Sequence, residues 1–500
     1  MKMVKSLILG SAAGLLAMSG AQAADLPVKA KAVEYVRICS LYGAGFYYMP
    51  GTDTCIKFGG YLRADTSVGA GDYSFMQSAA TGNQGSNNRL TNYWFGRARM
   101  DFNVDTRTAT EYGVVRTFAD LVFSWDTTSV TGSNPSAFST GAASLGLYHA
   151  FIQFAGFTFG RTVSIFDTPW QSYPAGGPDT IPGGSNNVTG VNQVAYTAQF
   201  GQGMSASIAL QDLTTAANGQ SNLWNTAFAT PAAAATAFVQ GNYGNNDWGG
   251  TRAPDIVGQV RVDQAWGLFQ FSAVAHDLHA AYYGATEVTG HPDDKWGWAA
   301  QAALSIKNIP TGPGDSINVQ AVYTDGATRY NFQSLFPQSF SMFSGSGIGA
   351  YQSTGFAGLS DGVFGVGTGI DTVKTWGFRG GFTHNWDPYW STGIYGGYAQ
   401  LKYGDTGKAL ICTNFVALAP SNGLAGCNPD FNFAVIGGNV VWTPVKNLAF
   451  TADVNWSHLD QKYSGTIASP GIATAAKPAA RYELKDQNSV SMLLRAQRSF

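Results

Sequence analysis

Sixteen stretches of this chain alternate, residue by residue, between apolar and polar side chains, and that period of two constrains its fold more than any other feature. A β-strand sends successive side chains to opposite faces, so each stretch reads as a strand separating an apolar from an aqueous environment. The clearest covers 94–105. Trp94, Gly96, Ala98, Met100, Phe102 and Val104 share one face; Arg97, Arg99, Asp101, Asn103 and Asp105 share the other. The chain then returns with Val115, Thr117, Ala119, Leu121, Phe123 and Trp125 opposite Arg116 and Asp120. Paired as a hairpin, the two strands place Trp94 and Trp125 at one end, as in an aromatic girdle at a membrane interface.

The same alternation recurs at 56–68, 148–154, 157–161, 194–200, 204–210, 256–262, 268–275, 296–306, 317–323, 376–386, 389–403, 433–442, 448–456 and 490–500. Most of these approach the roughly 9 to 11 residues that a tilted membrane strand needs. Short turns are expected at 105–112, 155–156, 201–203, 263–267, 308–315, 387–388 and 444–447. Long Gly-, Ser- and Asn-rich loops are expected at 70–91, 126–144, 162–192, 212–255, 277–295, 325–372, 404–429 and 458–488. Regular exchange of short and long connections predicts an all-β, 16-stranded antiparallel transmembrane β-barrel with short periplasmic turns and long external loops. A soluble sandwich also alternates, but it needs neither so many strands nor girdle aromatics.

Composition agrees with a chain not solvated by bulk water alone. Only 12% of residues are charged, about half the usual share of roughly 25%. Mean hydropathy is −0.06, which with the scattered charges excludes a helical membrane bundle built from apolar runs of about 20 residues. The formal net charge of −2 gives no reason to expect a nucleic-acid partner.

The first residues carry Lys2 and Lys5, an apolar stretch from Leu7 to Ala17, and Ala21 and Ala23 around Gln22. This is the pattern of a secretory signal peptide, 1–23, cut after Ala23. The expected organisation is therefore that signal, an N-terminal segment at 24–55 and a barrel at 56–500. Export brings the chain into an oxidising compartment, where Cys39 with Cys55 and Cys412 with Cys427 form two local pairs. By chain entropy a bridge closing about 15 residues contributes about 3 kcal/mol. Buried free thiols are the alternative.

No G-x-S-x-G, H-E-x-x-H or Walker sequence is present, so no enzyme, cofactor or metal site is expected. His276 and His279 form the one close histidine pair, at a strand end and loop start where solvated histidines are the expectation.

The run CSLYGAGFYYMPGTDTCIKFGGYLR at 39–63, preceded by AVEYVRI, closely resembles the N-terminal hallmark of alphaproteobacterial general porins of the Brucella and Rhizobium type. FTFGRT at 157–162 and the terminal Phe500 extend the resemblance. It implies a trimeric, multi-pass porin of the bacterial outer membrane, passing small hydrophilic solutes and ions passively, with its third long loop folded into the pore. It also implies contact with outer-membrane lipid and lipopolysaccharide, and a Phe500 that serves as a signal to the outer-membrane assembly machinery.

In a barrel of this size the polar parity lines an aqueous lumen. Lys57, Arg63, Arg97, Arg99, Arg116 and Arg495 then point inward from four neighbouring strands, while the third loop carries Asp167 and Asp179. The expected constriction is Arg97, Arg99, Arg116, Asp120, Asp167 and Asp179, with Lys57, Arg63, Asp101 and Arg495 as secondary lining. A basic wall facing an acidic loop sets up a transverse field that favours dipolar solutes. Alternatively the charges pair laterally, Arg97 or Arg99 with Asp101 or Asp120, and only keep the lumen hydrated. Arg261 and Arg379 point inward on other walls, where lesser roles are expected. A substrate-selective channel is the second reading, left open by Trp170 and Tyr173 in the third loop. An outer-membrane enzyme or adhesin is the third.

Overall fold

The computed structural model describes residues 37–69, 87–89, 93–127, 142–176, 181–214, 219–228, 247–332, 339–345, 349–418, 424–469, 471 and 477–500. The signal-peptide expectation, Asp179 and most of the loop at 70–91 lie outside them. The described residues up to Ile56 form one compact unit and those from Lys57 to Phe500 a second. In the first, Tyr47 and Tyr48 pair with Ile56 and Cys55, and Cys39 is disulfide-bonded to Cys55.

Among the described residues, sixteen antiparallel strands close into a barrel. They are β1 (Cys55–Gly69), β2 (Trp94–Thr110), β3 (Gly113–Asp126), β4 (Ala142–Phe154), β5 (Phe157–Thr162), β6 (Val191–Gly201), β7 (Met204–Asp212) and β8 (Asp255–Gln264). The second half comprises β9 (Gly267–Leu278), β10 (Lys295–Lys307), β11 (Ser316–Asp325), β12 (Lys374–Asn385), β13 (Trp390–Lys402), β14 (Phe431–Val445), β15 (Leu448–Gln461) and β16 (Gln487–Ser499). Each pairs with its chain neighbour, and Tyr61 to Gly69 pair with Ser499 to Ser491 to close the ring. Closure removes the unpaired edges that an open sheet would leave. No described helix is long and apolar enough to cross a membrane.

All sixteen alternating segments form strands, several longer than the pattern suggested. β2 continues to Thr110, so its turn to β3 is only 111–112. The outward parity is large and exposed, as at Trp94, Phe123, Trp125, Phe378 and Ile436. One bulge changes the parity. Asp120 opposes His149 and Leu121 opposes Leu147, leaving Tyr148 unmatched. A bulge inserts one residue and re-aims the strand, so both Tyr148 and His149 turn to the lumen while Leu147 and Ile152 stay outside.

The long loops are not confined to the outside. The loop between β11 and β12 enters the barrel, where Tyr330 packs on Phe166 of the third loop at 4.7 Å between ring centres. These rings share a core with inward-facing Val257, Val274, Ala299 and Val322. A second core joins β13–β15 residues Leu401, Phe431, Phe433 and Leu459 to Phe340, Met342, Phe356 and Tyr482. The last four belong to a five-stranded sheet built from external loops. The loop expected at 404–429 holds a helix, Asp405–Leu418, whose Cys412 is disulfide-bonded to Cys427.

His276 is not solvated, contrary to the sequence expectation. It is fully buried, with Nδ1 2.8 Å from Asp255 Oδ1, and Tyr330 donates its hydroxyl to Asp255 Oδ2 at 2.5 Å. Asp361 accepts from the backbone of Asn222 and Thr328, each at 2.7 Å, tying the loop after β7 to two parts of the loop after β11. Burial pushes the Asp361 carboxyl up, but His276 and these donors outweigh it and hold it below the usual range. His279 meets the expectation better: it is partly exposed, 2.6 Å from Asp294.

Candidate pore constriction

The third loop leaves β5 at Thr162 and crosses the inner wall of β6–β12 before returning to β6. Its path is set by a row of inward-facing glutamines. Gln193 donates to Val163 O (2.8 Å), Gln259 to Ile165 O (2.6 Å), Gln301 to Phe166 O (2.8 Å) and Gln270 to Asp167 O (2.9 Å). Gln320 accepts from Thr168 Oγ1 (2.9 Å) and Trp170 Nε1 (2.8 Å) and donates to Gln301 Oε1 (2.7 Å). A loop buried inside a barrel has no ladder of its own to satisfy its carbonyls, and the glutamine amides take that role. Each such bond contributes about 1 kcal/mol net, with a larger penalty if left unmade.

The return limb is held by Arg379, 1% exposed, whose guanidinium donates to Ile181 O, Gly184 O and Ser185 O at 3.2, 3.3 and 2.6 Å. Gly183 makes this approach possible. Its φ is +96°, and a Cβ there would stand 2.3 Å from Phe378 O. Farther along, His149 Nε2 lies 3.0 Å from Val188 O while Nδ1 is 3.1 Å from Asp120, so one ring joins wall and loop.

Between this loop and the opposite wall remains a cavity of about 710 Å³, bordered by strands β1–β4 and β12–β16. Arg63, Arg99 and Arg495 line it, with Asp101, Asp120 and Asp453. The third loop contributes Tyr173 and Asn186. Three cations and three carboxylates thus meet in one passage. They are partly spoken for: Arg63 donates to Gln497 at 2.9 Å, Arg99 to Ser124 at 2.9 Å, and Arg495 pairs with Asp65 at 2.7 Å. Tyr395 donates to Asp453 at 2.6 Å.

The residues picked from sequence fall in several places. Arg99, Asp120, Arg63, Asp101 and Arg495 meet at the cavity. Arg97 lies toward the external end of β2, 2.7 Å from Asp126. Arg116 lies toward the periplasmic end, 2.9 Å from Asp105 and bonded to Gln153. Lys57 is exposed near the start of β1 and does not border the cavity. Asp167 is 5% exposed and turned away from the passage, accepting from Asn187 N (2.5 Å) and Asn187 Nδ2 (3.2 Å). Burial pushes its carboxyl above the usual range against those donors. Carboxylates therefore reach the passage from the wall, through Asp101, Asp120 and Asp453, rather than from the loop through Asp167. Arg261 pairs with Asp263 at 2.6 Å, and Arg379 anchors the loop. Trp170 likewise serves as a loop anchor, whereas Tyr173 borders the cavity.

Asp453 and Tyr148 were missed in the sequence reading. Asp453 shares inward parity with Asn455 and Ser457, so its position was readable. Tyr148 was hidden by the bulge. The glutamine row also had a signal, since Gln193, Gln211, Gln259, Gln270, Gln301 and Gln320 all fall on the polar parity of their strands.

A closed barrel with an apolar exterior, a hydrated lumen and a loop-narrowed passage defines a membrane channel. The comparisons with known proteins give the family. The Porin subfamily model matches residues 25–493, and the chain belongs to that family. It is 31% identical over 360 residues to Porin Omp2b of Brucella suis biovar 1 (strain 1330), covering 64% of this chain and 85% of that one. It is 35% identical over 326 residues to Porin Omp2b of Brucella neotomae, covering 61% and 75%. Among solved structures, the outer membrane channel DcaP of Acinetobacter baumannii aligns with a TM-score of 0.56 at 15% identity, over 91% of this chain and 99% of that one. The protein is a multi-pass outer-membrane channel for passive diffusion, not an enzyme.

Proposed function

We propose that the passage between the third loop and strands β1–β4 and β12–β16 is the selectivity-determining constriction, passing small hydrophilic solutes and ions with little preference for either sign. The observation that carries this reading is the equal number of arginines and carboxylates around the cavity of about 710 Å³. Opposed charges on a narrow polar passage orient dipolar solutes, and an apolar solute gains nothing to offset its own desolvation of the lining groups. Arg97, Arg116 and Lys57 act at the rims, where they draw ions toward the mouth.

The working unit is a homotrimer. Residues 1–23 direct export and are removed, and Phe500 is the residue read by the assembly machinery. The outer surface contacts lipid and lipopolysaccharide. Planar-bilayer recording tests the pore. Large steps closing in thirds, with a reversal potential near zero in a salt gradient, are expected. A folded, heat-modifiable protein that carries no current would overturn the reading.

A substrate-selective channel is favoured by one observation, the tyrosines Tyr61, Tyr148 and Tyr173 around the same cavity. Saturating flux of a particular sugar or peptide would establish it in place of general diffusion.

A further inference from the structure

On the outside of the barrel a hollow interrupts the apolar belt. Along β10–β14 the outward side chains shrink together: Ala302 pairs with Ala321, and Gly380 with Gly396, with Ala434 alongside. The result is a recess of about 710 Å³ walled by Phe269, Phe378 and Tyr398.

Above the recess, at the external ends of two of the same strands, Lys374 and Lys402 are cross-strand partners. Their parity is that of Trp376, Phe378 and Tyr398, so both amines project outward. Lys374 lies 4.0 Å from Asp325 with its side chain 59% exposed. Lys402 makes no ion pair among the described residues. Of the other carboxylates on this rim, Asp460 is occupied by Lys462 at 2.6 Å and by Asn432 at 2.8 Å, and Asp430, beside Lys402 just before β14, by Lys408 at 2.6 Å. From the lysines a ramp of rings descends to the glycines. Trp376 sits 5.4 Å from Tyr398 and donates to Gln400, and Phe378 lies 5.9 Å from Tyr398. Six residues separate Lys374 from Gly380, about 20 Å along a strand.

We propose that this recess binds a phosphorylated glycolipid of the outer leaflet, lipid A, with a phosphate between Lys374 and Lys402 and one acyl chain lying in the hollow. Paired amines above an aromatic ramp match an anionic headgroup at the interface, where basic residues gain most from lipid charge. A chain end seated in the recess regains the close contacts that small side chains leave unmade. The proposal locates the lipopolysaccharide contact proposed above; it rests on that contact and on outer-membrane placement, and it is independent of the constriction.

Native mass spectrometry of the full folded chain in detergent, titrated with purified diphosphoryl lipid A, tests it. Lys374→Gln with Lys402→Gln, and separately Ala321→Phe, are each expected to weaken uptake about tenfold. Lys446→Gln at the periplasmic rim leaves it unchanged. Heat-modifiable migration reports that each variant is folded. Equal uptake by all variants would overturn the site while leaving lipid contact elsewhere intact, and no uptake by the unaltered chain would remove the contact itself. Equally tight binding of phosphatidylglycerol would overturn lipid A as the occupant. Loss of oligomer in Ala321→Phe with lipid uptake unchanged would assign the recess to a second copy of this chain.

Discussion

Arg495 on β16 lies directly across from Asp65 on β1, Nε 2.7 Å from Oδ1, on the seam where the last strand meets the first. The pair faces the lumen, and Arg495 also borders the constriction. One side chain thus takes part in both closing the barrel and setting the field in the pore.

Altering that field moves ion preference in opposite directions according to which sign is removed. Arg99→Ala leaves the passage with fewer cations than carboxylates and shifts the reversal potential toward cation preference. Asp120→Asn shifts it toward anions. Reversal potentials across a salt gradient measure both, and unchanged values in both variants would place the selectivity elsewhere.

Freeing the third loop widens and unsteadies the channel. Gln270→Leu with Gln320→Leu removes the amides that serve Asp167 O, Thr168 and Trp170, at about 1 kcal/mol or more for each bond lost. Open-channel noise and conductance rise, read from single-channel records, while the barrel still migrates as folded.

Separating Cys412 from Cys427 loosens the external helix without opening the barrel. Cys412→Ser with Cys427→Ser costs the loop about 3 kcal/mol of closure. Hydrogen exchange is expected to speed up across 405–427 and to stay slow in β13 and β14.

At the periplasmic side, loss of stability in acid is expected to involve Asp315. Loss of hydration pushes its carboxyl up, but Thr311 (2.6 Å), the Asn385 backbone (2.8 Å) and His384 (2.6 Å) hold it down at about 2. Its contribution is therefore complete above the ordinary carboxylate value of about 3.9 and disappears as pH falls through about 2. Asp315→Asn lowers the melting temperature at pH 7, and the gap to the unaltered protein closes near pH 2. A constant gap across that range would refute the assignment.

The barrel itself was legible because its cause is local. Each strand has to present one face to lipid and one to the lumen, so Trp94–Thr110 and Gly113–Asp126 carry that demand in every second residue. What could not be read was how the lumen is divided. Inward Val257, Val274, Ala299 and Val322 break the polar parity because the third loop and the loop after β11 fold back over them. Asp167 looked like a pore charge because it stands in the right loop, but Asn187 and the glutamine wall turn it inward. Tyr148 reaches the passage only through a bulge.

The sequence by itself determined the strand number, the alternation and the cysteine pairing, since each depends on neighbours in the chain or on one repeated environment. Only the tertiary structure decided which charges meet across the pore, which loops fill the rest of the barrel, and where small outward residues on five strands join into one recess. Those depend on contacts between residues far apart in the chain, which no local pattern encodes.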